Sequence, residues 1–343
     1  MPASETCAPR SVLIVGFGSI GRRHFQNLRK LGIEDVRILR SNRKSNHTFP
    51  SPPHTTVYVD LDAAIECRPD FAIVSNPTSL HVPTAKALVT ANIPVLLEKP
   101  VADSLRSSQS LMTASEQCAV PVSMGYCFRY HPLYRRVKHE LSSGRFGRVF
   151  YGRLWQSSYL PDWHPWEDYR DSYAARRELG GGVVKTLDHE LDMLRWLLGE
   201  PDRVIASVGT LSSLEVNVED TADMVFHLPD GLQAAVHVSF ARRGYDRGLS
   251  IVGEQGTCQL DWQSGTLSIQ RTSGESELVR LPKTFDLNSV YVDWLRSAIE
   301  GFSQKPRRAA IPLADGIEAL RMAEAALRSS ELRRGVSLND FDQ

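Results

Sequence analysis

The sequence has few features that would place the chain in a membrane or in an oxidising compartment. No run of about 18 apolar residues occurs, and residues 1–10 lack the apolar stretch of a signal peptide. Cysteine is scarce: there are five, an odd number, and no two have C-x-x-C spacing. We therefore expect no membrane span, no disulfide framework and no zinc site, and we predict a cytoplasmic protein.

The chain also lacks net charge and the signatures of several enzyme classes. Lys and Arg together number 40, as do Asp and Glu, so no global field attracts nucleic acid or an acidic membrane surface. There is no H-x-x-x-H metal pair, no G-x-S-x-G elbow and no P-loop lysine. These absences favour a small-molecule partner and argue against a bound metal.

The patterns that are present indicate two domains. A chain of 343 residues exceeds the usual length of one domain. In residues 1–125, helical segments separate short apolar runs at Val12–Val15, Val36–Leu39, Phe71–Val74, Val95–Leu97 and Val122–Met124. Buried strands that alternate with helices predict an α/β domain with a doubly wound parallel sheet of the Rossmann type.

The pattern changes in residues 126–343. Alternating apolar and polar residues predict a sheet with two different faces, most simply antiparallel. Its expected strands are Arg148–Trp155, Arg203–Leu211, Met224–Leu228, Leu232–Phe240, Ser250–Val252 and Thr257–Asp261. Helices are expected at Gly182–Leu198, Val290–Ile299 and Asp315–Arg328. This second α/β domain is predicted to bind substrate, and its C-terminal helices can pack back on the first domain.

The first predicted strand runs directly into a G-x-G-x-x-G fingerprint that opens a helix. Its residues are Gly16, Phe17, Gly18, Ser19, Ile20 and Gly21. The first glycine permits a tight turn, the second lets the backbone approach a pyrophosphate, and the third allows close packing of helix and strand. Between a strand and a helix, the fingerprint predicts a nicotinamide dinucleotide site rather than a simple turn.

Basic residues follow the second strand, at the place where many such sites carry a carboxylate. They include Arg40, Ser41 and Arg43, about 20 residues after the fingerprint. Guanidinium and hydroxyl groups bind a ribose 2′-phosphate, which a carboxylate would repel. These residues predict NADP as the cofactor. NAD is the alternative if the segment is only a solvated basic loop.

Four further motifs resemble the glucose–fructose oxidoreductase / inositol dehydrogenase / MocA (Gfo/Idh/MocA) family. They are Glu98-Lys99-Pro100, Asn76-Pro77-Thr78, Arg129-Tyr130-His131-Pro132, and Gly180-Gly181-Gly182 followed by His189-Glu190-Leu191-Asp192 and Trp196. The resemblance spans at least residues 11–200. It implies a Rossmann domain followed by an α/β domain built on an open, mostly antiparallel sheet. It also implies redox chemistry on a carbinol of a sugar, cyclitol or related polyol. A homodimer or homotetramer would form through the sheet face.

Within this resemblance, Lys99 and His189 match the family's catalytic pair. An ammonium at the carboxyl end of a parallel strand can polarise the reacting oxygen, and an imidazole can relay the hydroxyl proton. Glu98 is expected to orient Lys99. The other expected cofactor contacts are Asn76, Pro77 and His81, although a helix-capping or surface role for His81 is equally open.

The sequence departs from the family pattern just before His189. Many members place an Asp three or four residues before this His, but here those positions hold Thr186 and Lys185. Thr186 can hydrogen-bond a substrate but cannot act as a base at neutral pH. Either Lys99 and His189 suffice, or the chemistry is altered.

An aromatic and charged segment, Tyr159–Arg170, is the candidate substrate or lid segment. Trp163 and Trp166 can stack on sugar faces, and Arg170 can bind hydroxyl or anionic groups. The alternative is a surface loop that its tryptophans anchor. The other substrate candidates are Arg129, His131 and Thr186.

These observations lead to an NAD(P)-dependent dehydrogenase or reductase acting on CH–OH groups. Two alternatives use the same fold: a lyase or glycosidase that recycles a tightly bound NAD(P), and a non-catalytic NADP(H)-sensing regulator. Fold analogy does not choose among them.

Overall fold

A computed structural model describes residues 11–40 and 50–339. These residues form two compact units. The first contains the described residues up to Cys127 together with Asn288–Ile317. The second contains Phe128–Leu287 and the described residues from Glu318 onward. The division into a cofactor domain of residues 1–125 and a substrate domain of residues 126–343 stays a prediction.

The first unit is built on a six-stranded parallel sheet. Its strands are β1 (Ser11–Val15), β2 (Asp35–Leu39), β3 (Val57–Tyr58), β4 (Phe71–Val74), β5 (Val95–Leu97) and β6 (Val122–Met124). The helices between these strands are α1 (Ser19–Lys30), α2 (Leu61–Glu66), α3 (His81–Thr90) and α4 (Leu105–Cys118). The strand order is β3-β2-β1-β4-β5-β6, and every pair is parallel. The predicted doubly wound Rossmann sheet is confirmed.

Burial explains why this sheet positions a site. All residues of β1, β4, β5 and β6 are buried, as in parallel sheets that helices cover on both faces. Their carboxyl ends lie at one edge, beside the point where the strand order reverses at β1. That edge is where ligands bind in open sheets of this kind.

The second unit is built on a nine-stranded sheet. Its first helices are α5 (Pro132–Ser142), α6 (Val183–Thr186) and α7 (His189–Leu198). Its main strands are β7 (Val149–Tyr159), β8 (Arg203–Gly209), β9 (Thr221–His227), β10 (Gln233–Ser239), β11 (Ala241–Gly253), β12 (Gly256–Asp261), β13 (Thr266–Arg271) and β14 (Ser276–Arg280). The chain continues with α8 (Asn288–Ser303), which belongs to the first unit, and then with α9 (Leu313–Leu332) and β15 (Val336–Ser337).

The order in this sheet is β14-β13-β12-β11-β7-β10-β9-β8-β15. Only β7 and β10 pair in parallel, and the other pairs are antiparallel. The expected open, mostly antiparallel sheet is confirmed. No sequence pattern indicated β13, β14 or β15, because β13 and β14 carry many polar residues and β15 has two residues.

The single helix predicted over Gly182–Leu198 is wrong. Two helices occupy that range, because Leu187 leaves helical geometry at φ −98° and ψ 32° between α6 and α7. Nearly every residue of both helices is buried, so no apolar stripe marks the break. The break places His189 at the first position of α7.

Among the described helices, none is both long enough and apolar enough to span a membrane. Four cysteines lie in the described part of the chain, and all four are free thiols.

Candidate active site

The glycine fingerprint forms the turn between β1 and α1. Gly16 has φ +89°, and a Cβ there would lie 2.6 Å from the backbone nitrogen of Asn76. At Gly21, a Cβ would lie 2.2 Å from the carbonyl oxygen of Gly16. Both positions therefore exclude any side chain, the first for conformation and space and the second for space alone.

Gly18 has the opposite surroundings. A Cβ at this position would meet nothing within 4 Å, and both Gly18 and Ser19 are exposed. Gly18 precedes α1, whose first turn has neither an acidic residue nor a side-chain cap. Phe17 packs edge-on against Phe25 beneath the turn, with ring centroids 5.9 Å apart. The helix N-terminus is thus open, and it favours an anion.

Arg40 directly follows β2. Its backbone N–H donates to the carbonyl of Tyr58, and its guanidinium lies 3.4 Å from the hydroxyl of Ser51. The other two residues predicted to recognise the ribose, Ser41 and Arg43, lie outside the described residues.

His81 joins two loops at the carboxyl edge of the parallel sheet. Its Nε2 lies 2.9 Å from the carbonyl oxygen of Asn76, and its Nδ1 lies 2.8 Å from that of Pro100. Pro77 begins the short turn into α3, and the Asn76 amide donates to Thr84 at 3.0 Å. Burial lowers the pKa of His81, although both carbonyls act in the opposite direction. His81 therefore holds the Asn76 loop against the loop that follows Lys99.

Glu98 is the buried centre of the loop after β5. Its Oε1 lies 2.7 Å from Nε2 of His24 on α1, and its Oε2 accepts the N–H of Lys99 at 3.3 Å. Burial raises the pKa of Glu98. The hydrogen bond and charge of His24, with the charge of Lys99, outweigh that effect and bring the pKa below its usual value. Glu98 thus stays ionised and ties Lys99 to the fingerprint helix.

Three residues that support this loop were missed by the sequence analysis. The ring of His24 packs against Trp294 of α8 at 5.5 Å, and the indole of Trp294 donates to the carbonyl of Met124. A Cβ at Gly125 would lie 2.9 Å from Oε2 of Glu98. The one signal in the sequence was His24 on the apolar face of α1. A histidine at such a position does not by itself indicate a functional role.

His189 begins α7 in the second unit. It is buried, and its ring meets the ring of Phe128 at a centroid distance of 4.5 Å. Thr186 ends α6 and is also buried. Lys185 forms an ion pair with Glu324 of α9 at 3.5 Å. α6 itself contains no acidic residue.

Arg129 and His131 contact protein groups of the second unit. Arg129 forms a two-point ion pair with Asp192, a fully buried residue of α7. His131 stacks on Trp262 at 4.8 Å. Burial, with the nearby charge of Arg247, lowers the pKa of His131 to about 3. His131 is therefore neutral at physiological pH.

The predicted substrate segment forms a loop after β7. The indole of Trp163 donates to Ser158 at 2.9 Å, and its ring packs edge-on against Phe240. Trp166 is 44% exposed. Arg170 forms ion pairs with Asp168 and Glu215, each at 2.6 Å. Trp163 thus anchors the loop, while Trp166 and Arg170 lie at the surface.

The structure gathers the predicted residues into two groups. In the first unit, the fingerprint, Asn76, His81, Glu98 and Lys99 share the carboxyl edge of the parallel sheet. In the second unit, Arg129 and His131 lie near the start of α7, which carries His189. Arg247, which is fully buried beside this second group, was not predicted from the sequence.

Two family models match the chain. The model for the oxidoreductase family, NAD-binding Rossmann fold, matches residues 10–126, and the model for the GFO/IDH/MocA C-terminal domain matches residues 134–259. Together they cover more than half of the chain. The chain belongs to the Gfo/Idh/MocA family. It is an enzyme of the oxidoreductase class, and its first domain is the NAD-binding Rossmann fold.

Proteins with named activities are similar to this chain. A myo-inositol dehydrogenase of Streptomyces leeuwenhoekii is 28% identical, over 73% of this chain and 76% of its own length. A 1,5-anhydro-D-fructose reductase of Ensifer adhaerens is 26% identical, over 68% and 71%. Levoglucosan dehydrogenase, solved with NADH and levoglucosan, has a TM-score of 0.84 at 17% identity and covers 96% of this chain and 99% of its own. This last likeness shows the shared fold.

Proposed function

We propose that this Gfo/Idh/MocA protein is an NAD(P)-dependent dehydrogenase or reductase for a carbinol or ketone of a sugar, cyclitol or related polyol. One observation carries the proposal. Lys99 follows β5 at the sheet edge that also bears the glycine fingerprint, and Glu98 ties that loop to α1. The lysine and the dinucleotide loop are therefore held by one rigid connection.

The residues of the first unit fit a dinucleotide. Gly16 and Gly21 leave no room for side chains, whereas Gly18 leaves open space before the exposed N-terminus of α1. A pyrophosphate there would accept hydrogen bonds from backbone N–H groups of Gly18 and Ser19. The bound cofactor would supply nicotinamide C4 as the acceptor or donor of hydride.

Lys99 would act on the reacting oxygen. Its ammonium can donate a hydrogen bond to that oxygen and stabilise the negative charge that develops there. Glu98 keeps its carboxylate on the backbone N–H of Lys99 and on His24, which fixes the loop. In this role Lys99 polarises the substrate oxygen, and Glu98 orients the loop.

His189 would move the proton. In the oxidation direction its imidazole takes the proton of the substrate hydroxyl as hydride leaves the same carbon. In the reduction direction it returns that proton. Thr186, three residues before it, can hydrogen-bond a substrate hydroxyl, but its own hydroxyl does not act as a base at neutral pH.

The first experiment is an absorbance assay at 340 nm with NADP(H) and NAD(H). The panel contains myo-inositol, levoglucosan and 1,5-anhydro-D-fructose, together with sugars, sugar acids and their keto forms. We expect stoichiometric formation or loss of NAD(P)H with at least one compound. If cofactor binds and no compound reacts, the proposal falls. The recycled-cofactor alternative then predicts NAD(P) retained through purification, and the regulator alternative predicts binding without any turnover.

We propose NADP as the preferred cofactor because Arg40 follows β2 where a carboxylate would select NAD. Isothermal titration with NADPH and NADH tests this. We expect NADPH to bind at least about tenfold more tightly, and Arg40→Ala to reduce that ratio without weakening NADH. Equal or tighter NADH binding by the native protein would reverse the assignment. NAD remains the alternative, since the family model describes an NAD-binding fold.

We propose that two or more copies of the chain associate through the open face of the nine-stranded sheet. Strand register places Ile205, Val225, Ala235 and Arg153 in one row across β8, β9, β10 and β7. Ile205 and Val225 are 45% and 37% exposed, so the row presents apolar surface. Sedimentation should show a dimer or tetramer that Val225→Asp dissociates. Leu80→Asp, an exposed control in the first unit, should not.

Besides further copies of the chain, the proposed partner is a small-molecule polyol or sugar-like substrate. A cytoplasmic location, with no nucleic-acid or membrane partner, stays a prediction from the sequence.

A further inference from the structure

An ion pair is fully buried in the second unit. The guanidinium of Arg247, on β11, lies 2.8 Å from the carboxylate of Glu190, and their side chains are 0% and 1% exposed. Burial disfavours the charged guanidinium. The charge of Glu190 outweighs that effect and keeps the pKa of Arg247 above its usual value. The guanidinium of Arg247 is therefore charged inside the protein, next to the carboxyl group of Glu190.

Three aromatic rings enclose Arg247. Its Cζ lies 3.9 Å from the ring centroid of Phe128, 5.1 Å from that of Trp262 and 5.7 Å from that of Tyr134. Guanidinium groups are attracted to aromatic faces, and the attraction grows when water is excluded. The cation on β11 is thus surrounded by rings from α5, from the segment that carries Phe128 and from the residue that follows β12.

Stability alone does not account for such a pair. Removing two charges from water costs about as much as their attraction returns, and apolar replacements are often neutral or stabilising. In some proteins a buried polar or ionic group fixes the geometry of its surroundings instead. Which part of the structure the Arg247–Glu190 pair holds in place depends on the residues that contact it.

The ion pair is connected to His189 in two ways. Phe128 contacts Arg247 with its ring and meets the imidazole of His189 at 4.5 Å, at an interplanar angle of 64°. Glu190 directly follows His189 in the first turn of α7. We infer that Arg247 and Glu190 are positioning residues that fix the imidazole of His189, through the Phe128 ring and through the α7 backbone.

The inference deepens the proposed function and rests on it for its catalytic consequence. The orientation of the imidazole is a structural statement and can be measured without a substrate. Its effect on rate requires that His189 relays the proton. The two parts therefore need separate measurements.

The test variant is the double substitution Glu190→Gln with Arg247→Met, which removes both charges and keeps similar volumes. A matched control is Glu140→Gln with Arg271→Met. Glu140 is also fully buried and pairs with Arg271 at 2.8 Å, but Arg271 lies on β13 and Glu140 on α5. Arg247→Lys keeps the positive charge but loses the planar guanidinium group. It is the test variant if the double variant does not fold.

The first readout is the histidine NMR spectrum of full-length protein labelled at histidine ¹³Cε1. His189→Asn identifies the signal of His189. Because the Phe128 ring stands edge-on to the imidazole, its ring current shifts that signal in the native protein. We expect the signal to move or broaden in the double variant and in Arg247→Lys, and to stay in place in the Glu140/Arg271 control. An unchanged signal in folded Arg247 variants overturns the inference.

The second readout is turnover of the substrate that the 340 nm assay identifies. A misplaced proton relay should lower kcat about 10- to 100-fold while KM and NADPH affinity change little. It should also raise the solvent deuterium isotope effect on kcat, because proton transfer becomes rate-limiting. Loss of folded protein would lower the rate but leave the isotope effect unchanged. Arg247→Lys should recover part of the rate.

The two proposals fail in different ways. If His189→Asn retains full turnover, the proton-relay assignment falls while the NMR result still decides the positioning. If His189→Asn is inactive but the double variant keeps its kcat and isotope effect, the positioning inference falls and the proposed function stands.

Discussion

The two groups of candidate residues are built in different ways. The dinucleotide loop depends on space and backbone conformation: Gly16 and Gly21 admit no Cβ, and Gly18 faces open space. The surroundings of His189 depend on ion pairs between side chains far apart in sequence, such as Arg129 with Asp192 and Arg247 with Glu190. A site made of contiguous backbone is visible in a sequence, whereas a site assembled from distant charges is not.

Lys99 is the one proposed catalytic group in the first unit. We expect Lys99→Met to lower kcat by about 10³-fold or more, because the ammonium polarises the reacting oxygen. NADPH affinity should change less than about twofold, since backbone groups bind the phosphates. Steady-state kinetics and isothermal titration measure the two effects.

The matched control is Lys30→Met, which removes an exposed lysine at the end of α1. It should leave both quantities unchanged. Full activity in Lys99→Met would remove Lys99 from the mechanism and with it the observation that carries the proposed function.

Arg129 and Arg170 both form ion pairs in the second unit, the first with a buried carboxylate and the second with exposed ones. Arg129→Ala leaves the carboxylate of Asp192 buried without its cation, so we expect a loss of about 3 kcal/mol in the free energy of unfolding. Arg170 pairs with Asp168 and Glu215 in solvent, and Arg170→Ala should leave the melting temperature unchanged. Urea unfolding compares the two variants.

The same two variants decide their proposed contact with substrate. A rise in KM for Arg170→Ala, in a protein of native stability, would support Arg170 as a substrate residue. An unchanged KM would assign it to the surface. For Arg129, a stability loss well below that expected would mean that its pair with Asp192 is dispensable, which frees Arg129 for a ligand.

Local features of the first unit could be predicted from the sequence, for physical reasons. Parallel strands buried on both faces have continuous apolar runs, and a phosphate loop needs glycines at fixed spacing. The support of Glu98 by His24, Gly125 and Trp294 could not be predicted, because these residues lie on α1, after β6 and on α8. Their contacts exist only once the chain has folded.

In the second unit the sequence indicated the sheet but not its edge strands. Polar residues fill β13 and β14, so no apolar alternation marked them. The break between α6 and α7 was hidden because the segment is buried on several sides. Resemblance supplied His189, but no local pattern pointed to Arg247, since an arginine in a strand is usually exposed.

Gly16 and Gly18 test whether space governs the dinucleotide loop. Gly16→Ala places a methyl group 2.6 Å from the backbone of Asn76 at φ +89°, so we expect a loss of roughly 2 kcal/mol or more in unfolding free energy. Gly18→Ala has φ −77° and free space, so the fold should keep its stability.

NADPH binding then separates the two glycines further. The Gly18→Ala methyl group occupies the space that a pyrophosphate would approach, so affinity should fall about tenfold in a fully stable protein. Native affinity in Gly18→Ala would show that the cofactor phosphates do not approach this backbone.

The smallest expected effect concerns His131, whose ring packs against Trp262. Its pKa of about 3 in the fold lies below its ordinary value of 6.5, so the unfolded chain binds the proton more tightly. The stability that this neutral imidazole contributes is complete above pH 6.5 and is lost as pH falls towards 3. Between pH 7 and pH 5 the loss should be about 2 kcal/mol.

His131→Phe keeps the stack on Trp262 and should abolish that part of the pH dependence, whereas His139→Gln, at an exposed histidine, should retain it. His81 titrates in the same direction in all three proteins and cancels from their differences. Equal slopes for His131→Phe and the native protein, from urea unfolding at both pH values, would mean that His131 is hydrated in solution and open to a ligand.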